Sequence, residues 1–121
     1  MKNIIRLLVL TILYIAIIYL SVKHPSGHPS TIPFMDKIGH FIAYFTLSFA
    51  IIIFFIDKRI RILFIFLSLA MGIGLEFIQG LLVYRDMSAA DGVADAIGLL
   101  FGTITGVFAI SLKKRIWSNN E

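Results

Sequence analysis

Residues 62–84 read ILFIFLSLAMGIGLEFIQGLLVY. Across these 23 residues the only charged side chain is Glu76, and there is no proline. About 20 mainly apolar residues are enough for a helix to cross the hydrocarbon core of a bilayer. A helix on the surface of a soluble domain is apolar along one stripe only. This stretch is apolar all round, so it predicts a membrane-spanning helix. Working outward, three more runs have the same character: 4–22, 37–56 and 89–112. The expected fold is all-α, a bundle of four transmembrane helices forming a single membrane domain over residues 1–121.

Composition agrees. The chain is 59% hydrophobic and 15% charged, with a mean hydropathy of +0.94. Soluble domains run near 45–50% apolar and about 25% charged. That excludes a soluble enzyme and a disordered chain. A formal charge of +4 would suggest nucleic acid only if the cations lined a folded aqueous face. Here they punctuate apolar runs, so no nucleic-acid partner is expected. With no cysteine, thiolate chemistry and disulfides are ruled out. The first run is longer than the apolar core of a signal peptide, and residues 19–23 (YLSVK) offer no small-x-small cleavage site. It reads as a retained helix.

The cations set an orientation. With a cytoplasmic N-terminus, Lys2, Arg6, Lys58, Arg59, Arg61, Lys113, Lys114 and Arg115 lie inside, and Lys23, Lys37 and Arg85 lie outside. The excess of Lys and Arg in cytoplasmic segments therefore places both termini in the cytoplasm. The loop over residues 24–33 contains all three prolines, so it is not helical throughout. The short connections at 57–61 and 85–88 make helices two and three, and helices three and four, neighbours.

Seven acidic residues remain to be placed. Asp57 and Glu121 fall on the cytoplasmic side. Asp36, Glu76, Asp86, Asp91 and Asp95 all fall near the outer face. An ionised side chain costs about 2.5–3.5 kcal/mol at the centre of a spanning helix, and such residues usually face a bundle interior and carry function. Asp36, His40 and Tyr44 are four apart and share one helix face. Glu76 and Gln79 share another, as do Asp91 and Asp95. Glu76 is expected two turns below Tyr84, about 12 Å at 1.5 Å per residue. A polar pocket between helices two, three and four, open outward, is the economical arrangement.

Local alternatives stand beside it. Ser88-x-x-Asp91 fits a capping box that starts a helix. Asp36 fits a helix N-terminus through the dipole. Glu76 fits an ion pair with Arg85, and Gln79 fits interhelical glue. Tyr14, Tyr19, Tyr84 and Trp117 suit the membrane interface. Gly98, Gly102 and Gly106 form a small-xxx-small stripe for close packing inside the bundle or in a homodimer, and Gly72 and Gly74 offer similar contacts. His24 and His28 are four apart, but they sit in a proline-broken loop with no third ligand. No metal and no cofactor are expected.

The stretch Asp36-Lys37-Ile38-Gly39-His40-Phe41-Ile42-Ala43-Tyr44 resembles the D-K-x-x-H-F-x-x-Y signature of VanZ-like membrane proteins. Glu76-Phe77-Ile78-Gln79 resembles that family's E-x-x-Q. Arg85, Asp91 and Gly98 resemble its last motif, in which asparagine is usual where this chain has Asp95. The resemblance covers residues 36–102. It implies a small protein of the bacterial cytoplasmic membrane from a family associated with teicoplanin resistance.

The leading expectation is a binding module for an outer-leaflet lipid or a lipid-linked envelope precursor. Lys37, His40 and Arg85 would meet an anionic head group. Asp36, Tyr44, Glu76, Gln79, Asp91 and Asp95 would complete the pocket. An enzyme acting on lipid head groups is the alternative, with His40 paired to Asp36 as general base and Glu76 as general acid. A proton-coupled transporter ranks last, because the acidic groups stop short of the cytoplasmic half.

Overall fold

The computed structural model describes residues 2–24 and 34–119. The proline-bearing loop with His28 lies outside them, as does Glu121. Four helices make up the fold: α1 (Lys2–Val22), α2 (Met35–Phe54), α3 (Lys58–Leu81) and α4 (Ala89–Ser118). All four are long and apolar enough to cross a membrane. Their outward faces are apolar as well. Ile12 is 64% exposed, Phe66 70% and Phe108 67%. Apolar surface on that scale is unusual for a soluble monomer and fits a chain whose surroundings are lipid.

Three boundaries of α3 and α4 differ from the expected runs. α3 begins at Lys58, before the apolar run does, because Asp57 caps it. Its carboxylate accepts from the backbone N–H of Arg59 at 2.7 Å and of Ile60 at 3.2 Å, satisfying two of the four donors that a helix start leaves unpaired. At its other end α3 stops at Leu81. Glu76 therefore lies five residues, about 7.5 Å, from the helix end, closer than the two turns expected. α4 runs past residue 112 to Ser118. Lysine and arginine are good helix formers, and near a C-terminus they also complement the helix dipole.

The end of α2 is closed by two arginines. Phe54 O accepts from Arg6 Nη1 at 3.1 Å, and Phe55 O from Arg61 Nε at 2.6 Å. These are carbonyls that the helix itself leaves without partners. The same contacts tie α1 and α3 to α2. Midway along the bundle, the hydroxyls of Tyr14 and Ser68 are 2.7 Å apart, joining α1 to α3. Tyr14 is thus a half-buried interhelical contact, not the interfacial anchor expected of it.

The closest pairing joins α2 and α4, which are not consecutive in sequence. Gly98 lies against the backbone of Phe41 and Phe45, Gly102 against Phe45 O and Ser48 Oγ, and Gly106 against Ile52. Residue numbers rise together along both helices, so the pair is parallel. With hydrogen in place of a side chain, the backbones approach closely enough for extensive dispersion contact. The glycine stripe is thus covered by α2. Gly74, by contrast, has nothing near it, so the close contact expected there does not form. α1 packs on α2 and α3, with no comparable contact to α4 among the described residues. Leu10 and Ile17 of α1, Tyr44, Leu47 and Ile51 of α2, Leu75 of α3 and Leu99 of α4 form the buried core.

A side chain at Gly102 would collide with backbone, which cannot swing aside. Gly102→Leu is expected to destabilise the fold by about 3 kcal/mol or more, at the upper end of overpacking costs. The readouts are folded yield and thermal midpoint in detergent. Gly74→Leu, in open space, is expected to match the unmodified chain.

Candidate functional site

The parallel register of α2 and α4 brings two polar layers together at the end opposite the arginine closure. One turn apart on α2, Lys37 and His40 face Asp91 and Asp95, one turn apart on α4. Lys37 Nζ is 3.1 Å from Asp91 Oδ1. His40 Nδ1 is 2.9 Å from Asp95 Oδ1. A carboxylate can only accept, so Nδ1 carries a proton; in the neutral ring the lone pair is then on Nε2. His40 Nε2 then faces Asp91 Oδ2 at 3.9 Å, too far for a hydrogen bond. Asp36 does not join His40, although helical spacing puts the two on one face. It is 56% exposed in its side chain and bonds Lys37 at 2.8 Å. The histidine's carboxylate partner is Asp95.

α3 closes the cluster. Ser88 caps α4, its hydroxyl accepting from Asp91 N at 3.3 Å. In a capping box the acid three residues on would return the bond to the backbone of the cap. Here Glu76 does so instead: Ser88 N donates to Glu76 Oε2 at 2.9 Å. The capping-box reading is therefore half right. Asp91 supplies the backbone N–H, and its carboxylate is left to Lys37 and His40. Gln79 turns toward α1, donating from Nε2 to Ser21 O at 2.9 Å.

Several buried oxygens have no hydrogen-bond partner: Tyr44 Oη, Glu76 Oε1, Gln79 Oε1 and Asp95 Oδ2. Asp91 Oδ1 has only the ion pair to Lys37. Glu76, Asp91 and Asp95 are 7%, 5% and 2% exposed. An unsatisfied buried polar group costs about 1–3 kcal/mol, more if charged, so a cluster of them needs a reason beyond packing. One ligand atom from each of His40, Glu76 and Asp91 lies within 4.8 Å of the others. Gly72 makes the cluster possible. A Cβ there would lie 3.0 Å from Asp95 Oδ2 and 3.1 Å from Tyr44 Oη.

A cleft of about 590 Å³, including the solvent it opens to, adjoins the cluster. Ile17, Leu20 and Ala43 give it an apolar wall; Asp36, His40, Tyr44 and Arg85 are its polar lining. Arg85 makes no ion pair with Glu76; across the cleft, it has none among the described residues. The sequence motifs concern α2, α3 and α4 only, so the part played by α1 went unseen. The signal available was Ser21, a small polar residue near the end of an otherwise apolar helix. Asp86 is exposed and stands apart from the cluster.

Tyr44→Phe removes a hydroxyl that is buried without a partner. The thermal midpoint in detergent is expected to hold or rise. A fall of several degrees would mean that the hydroxyl is hydrogen-bonded in the folded protein. Comparison of the chain with protein-family models, with curated proteins and with solved structures returned no match.

Proposed function

We propose that this chain is a VanZ-like integral protein of the bacterial cytoplasmic membrane, with both termini in the cytoplasm. Its function on this reading is to bind an outer-leaflet lipid or a lipid-linked envelope precursor, and through that to contribute to teicoplanin resistance. The observation that carries the reading is the cleft. An apolar wall from α1 and α2 runs beside a polar cluster that includes His40 and Arg85. This is the division of labour of a small-molecule site, where apolar surface provides contact area and a few polar groups fix orientation. An acyl chain would lie along Ile17, Leu20 and Ala43, with the anionic head group against Lys37, His40 and Arg85. Asp36, Glu76, Gln79 and Asp95 would orient those cations or take up hydroxyls and amides. A homodimer through Gly98, Gly102 and Gly106 would have to replace the contact α2 makes there, as in a domain swap.

A second reading draws on the His40–Asp95 pair. A histidine whose Nδ1–H is held by a carboxylate has its Nε2 presented as a base. On this reading the bound head group is a substrate. Turnover of a lipid phosphate by the purified protein, abolished by His40→Ala, would favour it over binding alone.

Native mass spectrometry of gently extracted protein tests the binding reading. The expected outcome is a phosphate-bearing lipid retained by the unmodified chain and lost in both Glu76→Gln and His40→Ala. Absence of any specific lipid from all three samples would overturn it.

A further inference from the structure

We propose that His40, Glu76 and Asp91 form a binding site for one divalent transition-metal ion of the zinc type. The three residues come from three different helices, and one ligand atom from each lies within 4.8 Å of the others. Ligands at about 2.0–2.1 Å around a tetrahedral ion are about 3.3 Å apart. The set therefore needs to contract by at most about 1.5 Å, a change that side-chain torsions supply without moving a helix.

Three independent features point to an ion and not to a structural hydrogen-bond network. The first is the state of His40. Its Nδ1 is engaged by Asp95 Oδ1 at 2.9 Å, and its Nε2, which makes no hydrogen bond, faces Asp91 Oδ2 at 3.9 Å; in the neutral ring that nitrogen carries the lone pair. A ring held by a carboxylate on one nitrogen, with the other nitrogen free, is the usual arrangement of a metal-binding histidine. The second is Glu76, which is 7% exposed. Its Oε2 is taken by Ser88 N at 2.9 Å, while Oε1 has no partner. The third is charge. Glu76, Asp91 and Asp95 are all buried, and among the described residues they face at most two cations, Lys37 and, when protonated, His40. Buried carboxylates need a counter-charge, and a divalent ion supplies it at one point. One imidazole nitrogen with two carboxylates suits zinc or a neighbouring transition metal. Magnesium and calcium favour all-oxygen shells. Because His40 also lines the cleft, the ion would leave a position open on that side for water or for an oxygen of an anionic ligand.

The site goes beyond the lipid-binding reading, and its test needs no lipid. Protein in detergent is stripped with a chelator, equilibrated with Zn²⁺, freed of excess and assayed for bound metal. The expected result is about one zinc per chain, as the one three-ligand set among the described residues implies. His40→Ala, Glu76→Gln and Asp91→Asn are each expected to lose it, and Asp86→Asn, an exposed acid at the same end, to retain it. Asp95→Leu should weaken zinc about 10–100-fold, the usual effect of removing a ligand's own support. Asp95→Asn, which still offers an acceptor to Nδ1–H, should restore most of that. Co²⁺ added to the unmodified chain gives a readout that does not depend on any variant folding. Visible absorption bands of a low-symmetry site, displaced by Zn²⁺, are expected. No such bands, or an unmodified chain retaining no more zinc than the His40→Ala, Glu76→Gln and Asp91→Asn variants, overturns the proposal. Zinc retained without any specific lipid would leave the ion site standing and remove the lipid reading; the converse result would do the reverse.

Discussion

The close approach of α2 and α4 is the constraint on which the rest of the molecule depends. Gly98, Gly102 and Gly106 leave a groove along one face of α4, and Phe41, Phe45, Ser48 and Ile52 fill it. Two parallel helices in this contact have one register and no freedom to slide. That register continues toward the helix starts and decides which polar side chains meet. Lys37 lands on Asp91 and His40 on Asp95. A slip of one turn would pair His40 with Asp91 and leave Asp95 alone in the core. The apolar half of the seam thus fixes the geometry of the polar half, although the two share no residue.

Much of this was legible in the chain itself. Four apolar runs gave four helices. The spacing of Asp91, Asp95 and Gly98 put acids and glycines on one face of α4, and that face is the one α2 covers. Helical periodicity orders residues within a single helix, however, and says nothing about offset between helices. Spacing alone therefore paired His40 with Asp36 on its own helix and could not point to Asp95 on α4. The exposed start of α2 carries one, and the seam delivers the other. The expected Glu76–Arg85 pair failed for a related reason. α3 ends at Leu81, so Arg85 belongs to the connection after the helix, where it lines the cleft, and helical spacing from Glu76 does not carry over to it. Runs of apolar residues also mark poorly where a helix stops: α3 starts early at its Asp57 cap, and α4 continues through three cations.

The exchange of partners around Ser88 shows how one local device is turned to a longer-range purpose. A capping box is self-contained, since both hydrogen bonds close within one turn. Here the return bond comes from Glu76 on α3. The start of α4 is thereby pinned to α3, while the Asp91 carboxylate is released toward α2. A single substitution of roles ties three helices at one point. It also explains why three carboxylates lie so close together: each is held by a different neighbour, Glu76 by Ser88, Asp91 by Lys37 and Asp95 by His40.

That arrangement holds the carboxylates in place without satisfying them, and depth sets what it costs. An ionised group at the centre of a spanning helix costs about 2.5–3.5 kcal/mol, and the penalty falls toward the interface. With α3 ending at Leu81, Glu76 lies just over one turn from the helix end, and Asp91 and Asp95 fall within the first two turns of α4. All three are near enough to the helix ends for the penalty to be partial, yet buried enough for their free oxygens to lack water. A purely structural cluster would gain from asparagine, glutamine or an apolar residue at these positions, because replacing an imperfectly paired buried charge is often neutral or stabilising. Carboxylates aimed inward beside a histidine, at the wall of an open cleft, are instead what the proposed binding readings draw on, since each would supply the partner that the four helices do not.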